Sequence, residues 1–275
     1  MARDHFIPKA YLRHFTSGYL RGVSEGKLYA YSVTFERYRL VSINKHVGFE
    51  HNLYAEHPLD RDWNTYERSW PSVVDALRHR NHKAEIITDL LAFTAIQFCR
   101  VPAIMEVVAK RIAFANHRVI RTELDGKPVN GMLIKMVHTH QVLDFISDIL
   151  PSIIDSARAE YHWEILHNTT IEHFLTNDQP CMWDISTGNV IFPISLDLAL
   201  VGTYTEKRNI SPSFKAIDAT HDLVRQVNRS TVKNASRLIF SQHVTDELLR
   251  FFRENKKTPD LNPMSGGRSF SNTLE

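Results

Sequence analysis

The chain has 275 residues, 43% of them hydrophobic, and a chain of this length buries a sizeable core without disulfide staples. Its 33 lysines and arginines nearly balance 31 acidic residues, so the overall charge requires neither a nucleic-acid nor a membrane partner. No segment has the apolar length of a signal peptide or of a membrane span, and Cys99 and Cys181 lie far apart in apolar runs. We therefore predict packed thiols and a cytoplasmic protein without a membrane partner.

The N-terminal part of the chain predicts a short helix followed by a β-hairpin. Pro8 suits the first turn of a helix, where its missing N–H costs nothing, and Tyr11 and Phe15 then share an apolar face. Alternating apolar residues in the window 27–43 predict two paired strands.

The middle of the chain has helical periodicity. A helix is predicted over residues 62–80 with a break at Pro71, and a second helical block over residues 132–159 with an interruption at Pro151. Residues 84–99 are apolar almost all the way round, which is typical of a helix surrounded by other elements. We therefore expect that segment to be the central helix.

Near residue 161 the periodicity changes from helical to alternating. Helical patterns return in residues 216–240 and 244–254, and residues 256–275 have the composition of a flexible tail. Four short stretches of β-branched and aromatic residues predict antiparallel strands, at residues 161–166, 171–175, 190–194 and 199–203.

These elements together predict an α+β fold. Residues 1–255 should form one mostly helical domain, with a small antiparallel β-sheet in the C-terminal half and a hairpin near the N-terminus. No internal repeat and no linker-like composition divides the chain.

Common catalytic and metal-binding motifs are absent from the sequence. It contains no glycine-rich nucleotide loop, no H-E-x-x-H zinc motif and no zinc-finger spacing, which removes the enzyme classes that these motifs assign. His138 and His140 are two positions apart, about 200° around a helix. We therefore expect no shared metal ion at these two histidines.

Two polar side chains stand near the end of the predicted central helix. Gln97 and Arg100 each need a partner, because burying an unsatisfied amide or an unpaired guanidinium costs free energy. One alternative is a structural helix end in which Glu67 or Asp178 pairs with Arg100. The other is an anion site that lines a pocket.

Asp178 lies in a polar loop, residues 175–180, between two predicted strands. Its carboxylate suits a turn in which the side chain hydrogen-bonds its own backbone. Alternatively, it projects from the strand end as a metal ligand or as the partner of a histidine or arginine. The neighbouring residues fit both alternatives.

A row of four cations follows one predicted helix. Arg225, Arg229, Lys233 and Arg237 are spaced four residues apart with no acidic residue between the first and the last. We predict that all four lie on one helix and are at least partly exposed. The row fits a solvated face whose long stems cover the edge of the core, or a nucleic-acid-binding surface that follows phosphates.

Several short motifs occur in a fixed order along the chain. They are His5-x-x-Pro8-x-x-Tyr11-Leu12-x-x-Phe15, Glu67, Gln97-x-x-Arg100, a strand with Trp163, Thr176-Asn177-Asp178-x-Pro180, Phe192-Pro193-Ile194-Ser195, and Asn228. This order resembles the family catalogued as domain of unknown function 4238, over nearly the whole chain. The sequence departs from the usual T-S-D-x-P motif of that family at Asn177, which replaces a hydroxyl but leaves Asp178 in place.

The resemblance implies a bacterial-type cytosolic protein in which five positions recur as motif residues. It carries over no reaction. The five positions are His5, Glu67, Gln97, Arg100 and Asp178.

Two functions fit these residues. In the first, the protein is a binding or interaction module for a protein or nucleic-acid partner, with bacterial conflict with phages as one setting. Its polar residues would then form a structural network that holds the N-terminal segment on the core. A sealed, fully hydrogen-bonded His5 favours this hypothesis.

In the second, the protein is a hydrolase or nuclease that acts on a phosphate-containing substrate, a nucleotide or a nucleic acid. His5 would act as general base or metal ligand, and Glu67 and Asp178 would orient it or bind a divalent cation as cofactor. An open pocket around His5 favours this hypothesis. The substrate would be bound by Gln97, Arg100, Tyr11 and Asn177.

Overall fold

The structure is a computed structural model that describes residues 3–22, 26–44, 47–51, 54, 57–115, 131–184, 188–205 and 213–256. Within these ranges, α-helices and short β-strands form an α+β fold, which confirms the predicted fold class. The predicted tail lies outside the described residues except for its first residue.

The N-terminal segment contains the short helix that the position of Pro8 predicts. Strand β1 (Arg3–His5) pairs antiparallel with β4 (Phe49–His51), and helix α1 (Lys9–Leu12) begins directly after Pro8. Tyr11 of this helix is fully buried, so the segment is packed on the body of the protein from its first turn onwards.

A four-stranded antiparallel sheet joins the predicted hairpin to the C-terminal half of the chain. One face of β2 (Lys27–Ser32) contributes Leu28 and Ala30 to the main core, and β3 (Arg37–Ser42) lies at the edge of the sheet. The predicted hairpin is confirmed by the pairing of β2 with β3. In spatial order the strands are β3 (Arg37–Ser42), β2 (Lys27–Ser32), β11 (Leu238–Ser241) and β6 (Thr176–Asn177).

A five-stranded mixed sheet occupies the C-terminal half. In spatial order the strands are β10 (Ser213–Ala219), β5 (Tyr161–Asn168), β9 (Leu198–Tyr204), β8 (Asn189–Pro193) and β7 (Met182–Asp184). The pairs among β5, β9, β8 and β7 are antiparallel, as predicted for the strands of this half. Strand β10, which was not predicted, runs parallel to β5 and makes the sheet mixed.

Residues 171–175 do not form the predicted strand. Two asparagine side chains bond this backbone in place of a neighbouring strand: the amide of Asn168 donates to the Glu172 carbonyl at 2.6 Å, and the Asn228 side-chain oxygen accepts the Leu175 N–H at 2.8 Å. Phe174 and Leu175 are therefore buried in an irregular conformation that periodicity does not reveal, whereas Ile171 is exposed.

The larger helices are α2 (Pro58–Arg78), α3 (Ala84–Cys99), α4 (Pro102–Ala115), α5 (Gly131–Glu160), α6 (His221–Asn234) and α7 (Asp246–Asn255). Helices α2, α4 and α5 contact one long, mostly apolar helix, α3. Helix α3 has the predicted bounds, and almost every side chain from Leu90 to Cys99 is buried, which confirms it as the central helix.

Pro71 and Pro151 lie inside α2 and α5 without ending them, so both predicted interruptions are wrong. Each proline is exposed and therefore removes a hydrogen bond on the solvent side of its helix. Packing offsets this loss in α2, because Trp70 stacks on Phe93 of α3 with ring centroids 3.9 Å apart.

Residues 216–240 form three elements where one helix was predicted. Strand β10 ends at Ala219, α6 spans His221–Asn234 and β11 begins at Leu238. Thr220 starts the helix, because its hydroxyl accepts the Leu223 N–H at 3.3 Å and so satisfies a donor of the first turn. Pairing of β10 with β5 along its whole length overrides the helical pattern of its last residues.

The main core is a group of aromatic rings between α1, α2, α3 and β8. Tyr11, Trp70, Phe93 and Phe192 have ring centroids 3.9 to 6.4 Å apart. Cys99 and Cys181 are buried and unbonded, as predicted.

Among the described residues no single helix has the length and apolarity to cross a membrane. Helix α3 and residues 102–112 reach that length and composition only together, and they are bent by 66° at the break between them.

Candidate functional site

Arg100 ends the central helix and pairs with Glu67, one of the two carboxylates that the sequence suggests for it. The guanidinium Nη1 donates to Glu67 Oε1 of α2 at 2.5 Å. Only 2% of the Arg100 side chain is exposed, against 20% of Glu67. The pair therefore joins α3 to α2 in a low-dielectric setting, and Glu67 is its solvent-facing member.

Two aromatic rings complete the surroundings of Arg100. Its Nε donates to the hydroxyl of Tyr54 at 3.2 Å, and its guanidinium carbon lies 5.0 Å from the ring centre of Trp63. Burial alone would lower the pKa of Arg100, but Tyr54 and Glu67 outweigh it and raise that pKa. Burial raises the pKa of Tyr54 to about 12, so its hydroxyl stays protonated.

Gln97 lies one helical turn before Arg100 and is completely buried. Neither atom of its amide has a hydrogen-bond partner in the described structure, so the expectation that both polar side chains are satisfied holds for Arg100 alone. An unsatisfied buried amide costs free energy, and Gln97 is therefore a weak point of the interior.

Tyr11 is the place where the N-terminal segment, the central helix and the strand-end loop meet. Its hydroxyl donates to the Pro193 carbonyl and bonds the Thr176 hydroxyl, both at 2.7 Å. Its ring stacks on Phe192 and lies 6.4 Å from that of Phe93. The side chain of Tyr11, for which a substrate-binding role was predicted, is fully buried and hydrogen-bonded, and no open space for a substrate adjoins it.

Asp178 bonds the backbone of a distant part of the chain. Its two carboxylate oxygens accept the N–H groups of Ser236 and Arg237, at 2.9 and 2.8 Å, and neither alternative from the sequence anticipates these partners. Neighbouring Asn177 stabilises the turn of the loop, because its Oδ1 accepts the Gln179 N–H at 2.7 Å. Asp178 therefore belongs to a network separate from that of Arg100.

Burial and backbone bonds oppose each other at Asp178. Burial raises the pKa of this carboxyl to about 6, although the N–H groups of Ser236 and Arg237 act in the other direction. The side chain of the neighbouring Asn177 is also hydrogen-bonded to a distant part of the chain, because its amide donates to the Thr231 carbonyl at 2.6 Å. Both loop residues hold strand β6 against α6 and β11.

The side chain of His5 lies outside the described residues, as does that of His138. The backbone of His5 pairs with Phe49 in the register of β1 and β4. Among the side chains that the structure describes, no group of three histidines, cysteines or carboxylates has the arrangement of a metal site. The predicted catalytic role of His5 therefore stays a prediction.

The structure contains a polar cluster centred on Asp197 that the sequence analysis did not predict. Arg78 donates to both oxygens of Asp197 at 2.7 and 2.6 Å, the Ser195 hydroxyl donates at 2.7 Å, and the Tyr19 hydroxyl bonds both Arg78 and His14. Burial tends to raise the pKa of Asp197, but Arg78 and Ser195 outweigh it and lower that pKa. Ser195 alone gave a signal, as the last residue of the Phe192 motif.

The predicted row of cations is divided by the end of α6. Arg225 is half-buried, and its guanidinium pairs with Glu172 and Glu247 at 3.1 and 2.9 Å. Arg229 and Lys233 are exposed on the same helix. Arg237 is exposed as well but lies three residues beyond the helix end, so the prediction of one helix is wrong for it.

A groove lies between α2 and α5, and Trp63, whose ring contacts the Arg100 guanidinium, forms part of its wall. Its volume is about 590 Å³, and Asp62, Trp63, Tyr66, Leu150 and Asp155 contribute to its lining. The predicted site residues Glu67, Arg100 and Asp178 do not line it.

A family model described as a protein of unknown function, DUF4238, matches residues 3–244. The chain belongs to this family. No curated protein and no solved structure matches it. The DUF4238 match spans β1 to the end of β11 and thus every residue that the sequence singles out as a motif.

In this DUF4238 chain, three of the motif residues connect elements that are distant in the sequence. Tyr11 reaches Thr176, Arg100 reaches Glu67, and Asn228 holds the backbone of Leu175. They form at least two separate networks in place of one shared site.

Proposed function

We propose that the chain is a binding module for nucleic acid, and that the ligand lies along a cationic surface formed by Arg229, Lys233 and Arg237. The observation that carries the proposal is the state of Arg229 and Lys233. Both are exposed, and neither has a carboxylate partner among the described residues. Cations at helical spacing that are free of carboxylates are available to phosphates.

Arg225 provides a contrast on the same helix. Glu172 and Glu247 occupy its guanidinium, so this member of the row serves to connect α6 with α7 and the loop before β6. The cationic surface therefore excludes it. The proposed contacts begin one turn later, at Arg229.

The interior supports a binding module over a hydrolase. The carboxylate of Glu67 pairs with Arg100, and that of Asp178 accepts two backbone N–H groups. A general base or metal ligand needs a lone pair directed at substrate or metal. In both residues the described contacts use the carboxylate to hold secondary structure together, which is the arrangement expected of a structural network.

The proposal is tested by fluorescence anisotropy at several salt concentrations. The probes are labelled DNA and RNA of roughly 20 to 30 nucleotides, long enough to cover the site of a typical single-strand-binding domain. Affinity should fall steeply with salt, because each neutralised phosphate releases counterions. The double variant Arg229→Gln/Lys233→Gln should weaken binding. It should also reduce the salt slope by nearly one for each phosphate that the variant no longer neutralises.

A matched control removes two charges elsewhere. Arg61 and Arg68 are exposed on α2, and Arg61→Gln/Arg68→Gln changes the net charge by the same amount. If the two double variants weaken binding equally, the binding is non-specific attraction by net charge and the cationic surface is not the site. Absence of binding at low salt would refute the proposal.

A further inference from the structure

The β2–β3 hairpin exposes large apolar side chains. Phe35, Tyr38 and Leu40 are 57%, 49% and 50% exposed. They fall within six residues of one another, although most large apolar side chains of the described structure are buried. A cluster of this kind at a sheet edge marks an interaction surface.

Tyr38 and Leu40 point to the same face of the sheet, because side chains alternate along a strand. The register places Tyr29 of β2 opposite Leu40, and the rings of Tyr29 and Tyr38 meet edge to face at 6.1 Å. Helix α7 covers the adjacent part of this face through Phe252, whose ring lies 5.0 Å from that of Tyr31. We call the uncovered remainder of this face, Tyr29, Tyr38 and Leu40, together with the exposed Phe35 of the adjoining turn, the hairpin platform.

The charges around the hairpin platform favour an anionic partner. Lys27 and Arg37 are exposed at the two ends of the paired strands, and Arg39 is half-buried between them. The acidic residue of the turn, Glu36, is already bound by Lys256. Because side chains alternate along each strand, Lys27 shares the face of Tyr29. Arg37 and Arg39 point to the opposite face, so Lys27 is the cation beside the rings and the two arginines lie along the same sheet edge.

The hairpin platform also adjoins the cationic surface. The N–H of Val33, at the end of β2, donates to the carbonyl of Arg237 at 2.9 Å. A nucleic-acid strand whose phosphates contact Arg229, Lys233 and Arg237 would therefore also reach the turn that contains Phe35.

We propose that the hairpin platform binds the bases of single-stranded nucleic acid. Bases stack on exposed aromatic rings without regard to sequence, while neighbouring cations contact the phosphates. A duplex hides its base faces and gains little from such rings. The inference rests on the proposed function and deepens it, because it names the class of nucleic acid and the residues that select it.

A second copy of the chain is the less favoured occupant. Pairing two β3 edges about a two-fold axis would bring Arg37 and Arg39 of one copy close to the same cations of the other. Like charges at that distance oppose association. A polyanion, in contrast, is attracted by the same residues.

The experiment compares a labelled single strand of mixed sequence with a duplex of the same length, by anisotropy at low salt. We expect tighter binding of the single strand. Tyr38→Ala should weaken it by about 5- to 160-fold, the range that corresponds to about 1–3 kcal/mol for removal of one stacking ring. Tyr38→Phe, which keeps the ring, should retain most of the affinity. Because Tyr38 is half exposed, its truncation leaves the fold intact, which circular dichroism checks.

Tyr204 supplies the matched control. It is a tyrosine of similar exposure, 46%, on β9 of the other sheet, and Tyr204→Ala should leave the affinity within twofold of the wild type. If the wild-type chain binds neither ligand, the proposed function fails together with this inference. If single strand and duplex bind equally and Tyr38→Ala matches Tyr204→Ala, the inference alone is wrong. Loss of a dimer in Tyr38→Ala without loss of affinity would also overturn it and identify a self-association face.

Discussion

Breaking the Arg100–Glu67 pair should destabilise the protein unequally from its two sides. Glu67→Leu leaves a guanidinium that is 2% exposed without this carboxylate, and removing one member of a buried pair costs about 3–5 kcal/mol. Arg100→Met keeps most of the buried stem and leaves Glu67, which is 20% exposed and can be hydrated. We expect a smaller cost there, about 1–3 kcal/mol.

The double variant Glu67→Leu/Arg100→Met measures how strongly the two side chains interact. It removes both charges together, so its cost should fall below the sum of the single costs by more than about 2 kcal/mol, as expected for groups in contact. Urea denaturation gives the three free energies of unfolding. In thermal denaturation, each kcal/mol should lower Tm by roughly 2–4 °C for a chain of this size.

An exposed ion pair gives the comparison that this reasoning needs. Arg80 and Asp218 pair on the surface, with side chains 48% and 68% exposed, and the same cycle with alanine at both positions should give a coupling below about 1 kcal/mol. A coupling that small for Arg100 and Glu67 would contradict the idea of a low-dielectric pair.

Three further predictions concern buried polar groups. Asp178→Asn should cost about 1–3 kcal/mol, because an amide cannot accept both N–H groups of Ser236 and Arg237. Since the pKa of Asp178 rises from 3.8 to about 6 on folding, wild-type stability should fall as pH rises through that window, and urea titrations of Asp178→Asn should lack this fall. Burial lowers the pKa of His14 from 6.5 to about 3, so the free energy of unfolding should decrease as pH falls below 6.5, by up to about 1.4 kcal/mol per pH unit. The variant His14→Asn should lack this pH dependence. The control His79→Asn, at an exposed position, should retain it. Tyr11→Phe retains the ring but removes a hydroxyl with two bonds and should cost about 1–3 kcal/mol in chemical denaturation, with an unchanged m value.

The central helix and its ion pair could be predicted because they depend on local composition. An apolar circumference over residues 84–99 implies burial, burial of Arg100 requires a carboxylate, and Glu67 was one of two candidates. The structure confirms this chain of inference at 2.5 Å. Each step uses residues whose neighbours along the helix already reveal their environment.

The role of Asp178 could not be predicted, because its partners are backbone N–H groups. Ser236 and Arg237 carry no mark in the sequence of a bond 58 and 59 residues away. That contact exists only once β6 pairs with β11, and β11 was itself concealed in a segment of helical pattern. An error in one element thus prevented the correct interpretation of a residue in another.

The Asp197 cluster was missed for a related reason. Arg78, Ser195 and Tyr19 come from the end of α2, the turn between β8 and β9, and a 3-10 turn near the N-terminus. Ser195 belongs to a motif, but nothing in the segments of Arg78 and Tyr19 marks those two residues as its neighbours. Only tertiary structure brings them within hydrogen-bond distance of Asp197.

The motif residues and the hairpin platform should respond differently to substitution, and this difference separates structure from function. Asn177 bonds a carbonyl 54 residues away, and Tyr11 bonds a hydroxyl 165 residues away. Such bonds exist only in the folded chain, so removing them lowers ligand affinity mainly by lowering the folded fraction. Tyr38 lies on the surface of an edge strand, so its removal should lower affinity at constant stability. A motif variant that keeps wild-type stability and still loses nucleic-acid binding would show that the buried network takes part in function directly.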